Sequence, residues 1–88
     1  MDGDIRPDLA AGIKALIADT FDVSPARIGM ATHPDEVNGW DSLGHSVLLT
    51  RIGRKYDVTI TEELAAPVAD VAELVSRLAA LLESPSHG

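Results

Sequence analysis

The chain contains no cysteine. Disulfides and thiolate metal sites are therefore excluded, and any thiol chemistry needs a thiol carried in by a cofactor. Aromatic residues are nearly absent: Phe21, Trp40 and Tyr56 are all there are. The apolar content is Ala, Leu, Val and Ile, which suits packed helices and leaves no room for a large internal pocket. No apolar stretch approaches the ~20 residues a membrane span needs. Bases are scarce, with seven Lys and Arg against fourteen Asp and Glu, for a formal charge of −7. Binding to nucleic acid or anionic lipid is driven by Lys and Arg, so neither is an expected partner. Partners with basic patches fit better. The start, Met1-Asp2-Gly3-Asp4, is acidic with no apolar run after it. No signal peptide is expected, and a cytoplasmic location fits the missing cysteine. His33, His45 and His87 lie far apart without metal-ligand spacing, so no metal site is expected.

Eighty-eight residues make one small domain, 1–88, with a folded core expected over about 7–83 and flexible ends at 1–6 and 84–88. A chain this size buries roughly 60–65% of the surface its unfolded form exposes. An enzyme with a deep cleft is not expected at this size. The first helix is expected to start near Pro7-Asp8, with Leu9, Ile13, Leu16, Ile17 and Phe21 as its buried stripe. Residues 22–40 read as a long connection with a turn at Ser24-Pro25, breaks at Pro34, Asn38 and Gly39, and Ile28, Met30 and Val37 as anchors. Trp40 reads as a further loop anchor. A second helix is expected from Asp41 or Ser42 to Tyr56. Its inward face reads as Leu43, Ser46, Leu49, Ile52 or Gly53, and Tyr56, with Leu48 beside it. Gly53 marks close approach of another helix. Val58-Thr59-Ile60 reads as an extended link with Ile60 buried, followed by a short helical turn stopped before Pro67. The last helix takes Asp70 as its cap, with Glu73 at capping-box spacing. Its stripe is Val71, Leu74, Val75, Leu78 and Leu82. The fold class is all-α: an antiparallel four-helix bundle with three long helices, one short helix and a long first loop.

Asp41-Ser42-Leu43 follows a turn signal and opens the second helix. Asp41 is a natural N-cap. The Ser42 hydroxyl projects where free backbone N–H groups and the helix dipole favour an anion, which is a suitable place for a phosphodiester. Isolated Asp-Ser pairs usually just cap helices, and the wider context is what gives this one its meaning.

That context resembles the acyl carrier proteins of fatty acid and polyketide synthesis. The resemblance is carried by Gly39-Trp40-Asp41-Ser42-Leu43-Gly44-His45, by Tyr56 fourteen residues after Ser42, by Ile60, and by Val71-Ala72-Glu73-Leu74. It spans about residues 8 to 83. It implies a discrete carrier with no catalytic residues of its own. A phosphopantetheinyl transferase would attach 4′-phosphopantetheine from coenzyme A covalently to Ser42. Acyl groups would ride on the arm's thiol as thioesters between an acyl-loading enzyme, a ketosynthase and other acyl-processing enzymes. The carrier would be a monomer. With so small a core, sequestration of the acyl chain is expected to be shallow or transient. Asp41 matches the family's acidic residue before the serine, and Leu43 the apolar residue after it that partners contact.

Gly44-His45-Ser46 is similar to the modified stretch of peptidyl carriers. The aromatic spacing favours Ser42, since Tyr56 is only ten residues past Ser46, and Ser46 is expected to point toward the core. The second helix departs from the family's habit of lining it with acids. Residues 44–55 hold no acid, and Arg51, Arg54 and Lys55 stand there instead. Val47, Arg51 and Arg54 share one face. Together with Asp41 and Leu43 they are the expected partner-recognition residues, and they point to a specialised polyketide-like pathway whose partner offers an acidic or apolar surface. Three alternatives remain: a peptidyl or aminoacyl carrier, an unmodified helical protein-binding module, and a small hydrolase pairing Ser42 with His45 without an evident oxyanion hole.

Overall fold

The computed structural model describes residues 7–83, and the expected flexible ends, 1–6 and 84–88, lie outside them. The described residues are helical with no strand. Four α-helices run α1 (Pro7–Phe21), α2 (Ser42–Tyr56), α3 (Glu62–Ala65) and α4 (Val71–Glu83). α1 packs on both α2 and α4, and α3 contacts α2 and α4. The core is aliphatic. Ile13 and Ile17 of α1, Leu48 and Ile52 of α2, Leu64 of α3, and Val71, Leu74 and Leu78 of α4 are fully buried.

Each helix ends for a local reason. α1 closes through Asp22 in the left-handed region, with the Val23 N–H donating to the Ala18 carbonyl. α2 closes the same way at Asp57, whose N–H donates to the Gly53 carbonyl. Thr61 caps α3 through its hydroxyl, which accepts from the Leu64 N–H. The start of α4 is satisfied from two sides. The Asp70 carboxylate takes the Glu73 N–H, while the Thr32 and Met30 carbonyls of the first loop take the Val71 and Ala72 N–H groups. Glu73 reaches back to the Ala69 N–H, one residue before the cap.

Several sequence expectations need correction. Met30 is 37% exposed, because it contributes its carbonyl to α4 and not its side chain to the core. Pro34 does not break regular structure; it opens a 3₁₀ turn, Pro34–Glu36, matching another at Pro25–Arg27. On α2, Leu43 and Ser46 face solvent, and the buried face is Leu48, Leu49 and Ile52. The first turn of α2 lies at the rim of the core, so position 43 has nothing to pack against. Gly53 is approached by the Val58 carbonyl and the Ile60 side chain of the following link, not by another helix. Ile60 itself is partly buried.

Arg77 is the long-range tie that no local pattern reveals. Its guanidinium donates to the carbonyls of Glu63, Ala66 and Pro67 and to the Glu73 carboxylate, so α4 supplies donors to the C-terminal end of α3. Replacing Arg77 by methionine keeps the stem and strands those carbonyls. A loss of about 1–3 kcal/mol of unfolding free energy is expected in urea titrations. A loss of only a few tenths would show that water serves the carbonyls equally well.

Candidate functional site

The N-terminus of α2 is built around Asp41 and Ser42. Asp41 is extended, and its Oδ1 accepts from the Gly44 N–H at 2.9 Å while its carbonyl accepts from the His45 N–H at 2.7 Å. The first two donors of the helix, the N–H groups of Ser42 and Leu43, meet no acceptor among the described residues. Ser42 is the first residue of the helix and is exposed. An exposed hydroxyl beside two free N–H groups can carry an anionic substituent.

The turn before the helix is held by rings. Trp40 is 5% exposed and stacks on Phe21 of α1 at 5.8 Å and on His45 of α2 at 6.2 Å. Its indole N–H donates to His45 Nδ1 at 3.0 Å. Gly39 has a positive φ of 96°, and Gly44 lies so close to the Gly39 carbonyl that a Cβ at position 44 would overlap it. Trp40 is thus the loop anchor expected from sequence, and His45 is its partner. Spacing in the sequence does not by itself reveal the role of His45. The available signal was a tryptophan just before the cap with a histidine one turn into the helix.

Because Nδ1 accepts, the neutral ring carries its proton on Nε2. That nitrogen is buried without a well-formed bond, facing the Ala66 carbonyl that Arg77 already engages. Neither ring nitrogen bonds the Ser42 hydroxyl. Burial holds the His45 pKa below its ordinary 6.5, with the Ala66 carbonyl opposing and the Arg77 charge reinforcing the shift. In the folded state His45 therefore resists protonation more than in the unfolded chain. Its contribution to stability is complete above pH 6.5 and is lost as pH falls below 6.5 through the folded pKa. Urea midpoints should fall on going from pH 8 to pH 5.5, and His45→Asn should remove part of that slope. An unchanged slope in the variant would contradict this.

An open groove of about 580 Å³ runs alongside Ser42, walled by His45, Ser46 and Leu49 on one side and Pro67 and Val68 on the other. It lies at the edge of the core and not within it. Ser46 is exposed on its wall, which overturns the expectation that this serine points inward. The choice between the two serines therefore rests on helix position and on the spacing to Tyr56.

The remaining sequence candidates lie along α2. Leu43 is 76% exposed and Val47 45% exposed. Arg54 is exposed. Arg51 is not a free cation: it bonds the Asp19 carboxylate at 2.8 Å and the Thr20 hydroxyl, tying α2 to α1. Both side chains are exposed, Asp19 the more so, and Arg51→Ala is therefore expected to cost less than about 1 kcal/mol in thermal or urea unfolding. A larger loss would mean the tie is structural. Among the described residues, no cluster of three His, Cys, Asp or Glu side chains could hold a metal ion. No helix among them is long and apolar enough to cross a membrane.

No family model, curated protein or solved structure matches the chain.

Proposed function

We propose that the chain is an acyl carrier, with 4′-phosphopantetheine attached to Ser42 and acyl groups held on the arm as thioesters. The observation that carries this reading is the exposed Ser42 hydroxyl at the first position of α2, flanked by the capping residue Asp41 and two unused N–H donors. The four helices are then the antiparallel bundle such carriers use. The groove beside Ser42 offers the arm and the first carbons of its cargo a shallow resting place, partly apolar through Leu49, Pro67 and Val68. Exposed Leu43 and Val47, with Arg54 further along α2, form the surface offered to the transferase and to the loading, condensing and other acyl-processing enzymes. Asp41 completes it at the helix mouth. Arg51 contributes only if a partner displaces Asp19. The missing cysteine leaves the arm as the sole thiol. No acid lies between Ser42 and Tyr56, so this surface selects partners unlike those that dock on acidic helices, as in a specialised polyketide-like pathway in the cytoplasm.

The test is intact mass after incubation with coenzyme A, magnesium and a broad-specificity phosphopantetheinyl transferase. One phosphopantetheine is expected on the wild type and on Ser46→Ala, and none on Ser42→Ala. Because Ser46 is exposed, a peptidyl-type carrier modified there is the second reading. It predicts the reverse pattern. No gain in any chain would favour an unmodified protein-binding module.

A further inference from the structure

Resting on the reading of Ser42 as the modified residue, we propose that His45 is a positioning residue for that modification. Neutral, it latches Trp40; on gaining a proton it releases the latch and loosens the turn that presents the Ser42 hydroxyl.

The direction of one hydrogen bond carries the inference. An indole N–H can only donate, so the 3.0 Å bond from Trp40 requires a lone pair on His45 Nδ1. The imidazolium has N–H groups at both nitrogens, and protonation would set donor against donor. The bond also sits where a small change reaches Ser42. Trp40 is two residues from it, and the Trp40 backbone N–H donates to the buried Val37. The segment from Val37 to Asp41 is thus pinned to α1 through the Phe21 stack and to α2 through His45. The Nε2 side supplies no well-formed bond that could hold the ring in its place.

The charged and polar groups around the imidazole are of both signs. Asp41 lies one turn back on the same helix, and His33 and Asp35 line the groove that His45 walls. Asp41 and Asp35 are exposed and solvated. α4 presents the Arg77 guanidinium, paired with Glu73, and the α3–α4 link presents the Ala66 carbonyl. From α1 comes the Phe21 ring, through Trp40. None of these carboxylates forms an ion pair with the imidazole.

His45→Asn supplies an amide oxygen near the Nδ1 position and cannot titrate. Wild type and His45→Asn are mixed in one tube with coenzyme A, magnesium and the transferase, at a series of pH values from 8 to 5. The two chains differ in mass, so one spectrum reports both, and their ratio cancels the transferase's own pH profile. The ratio of modified His45→Asn to modified wild type is expected to be near one at pH 8 and to rise about threefold or more by pH 5, following the histidine. The emission of Trp40, the sole tryptophan, should titrate over the same range in the wild type and stay flat in His45→Asn. His45→Gln serves in its place if circular dichroism shows His45→Asn to be unfolded. A constant ratio, or an emission step that survives in the variant, overturns the inference while leaving the carrier reading intact. No mass gain in either chain at any pH overturns both.

Discussion

Trp40→Ala is expected to lower the unfolding free energy by about 3–5 kcal/mol, the range for truncating a buried tryptophan. Three losses combine. The ring is removed from a site only 5% exposed, the stack on Phe21 is lost, and His45 loses the donor that satisfies its Nδ1. At about 0.05–0.15 kcal/mol per residue, a domain this size has only roughly 4–13 kcal/mol in total. One substitution in the first loop should therefore remove a large share of it. Trp40→Phe keeps most of the apolar contact and deletes the N–H, so a smaller loss of about 1–3 kcal/mol is expected. Urea unfolding followed by circular dichroism measures both, since the alanine variant has no tryptophan to report. A loss under about 1 kcal/mol for Trp40→Ala would mean that the turn before Ser42 is not pinned as described.

The second large effect is expected at Gly44. In an ordinary exposed helical position, glycine to alanine gains up to about 1 kcal/mol. At position 44 the new methyl would overlap the Gly39 carbonyl oxygen and press on the Phe21 ring. The first obstacle is backbone, so a rotamer change cannot relieve it. Gly44→Ala should therefore destabilise, by about 1–3 kcal/mol net, as for other overpacked sites. It should also slow modification of Ser42, because the turn from Gly39 to Asp41 must shift. Gly53→Ala is the internal control. There the nearest atoms are the Val58 carbonyl at 3.2 Å and the Ile60 side chain at 3.4 Å, a tight fit but not an overlap. Its penalty should come close to cancelling the gain in helix propensity. Urea midpoints of the two variants measure the contrast. Equal effects at the two positions would contradict the close approach at Gly44.

Much of this architecture is legible in the chain. The end of α1 and the limits of α2 and α4 follow from apolar periodicity, helped at α2 and α4 by caps that act over three residues: Asp41 on Gly44 and Asp70 on Glu73. The long first loop is legible as a loop but not as a structure. Its 3₁₀ turns are too short to have a period, and its carbonyl contacts to the start of α4 involve residues about forty positions away. The inward face of α2 is misread for a definite reason. Leu43 and Ser46 fall on a regular three-residue spacing with Leu49 and Ile52, and a linear pattern does not show that the first turn overhangs the core. In the site, Ser42 and Asp41 are legible because cap and hydroxyl are adjacent. His45 is not, because its meaning depends on which nitrogen Trp40 engages. Arg77 is not, because three of its four partners are backbone carbonyls outside α4.

Fragment mass spectrometry of the wild-type chain after transferase treatment locates the added group on a single residue. Every site-bearing fragment is expected to place phosphopantetheine on the Ser42 oxygen and to leave Ser46 unmodified. Fragments that place it on Ser46, or a chain that remains unmodified while a control carrier in the same tube is converted, would contradict attachment at Ser42.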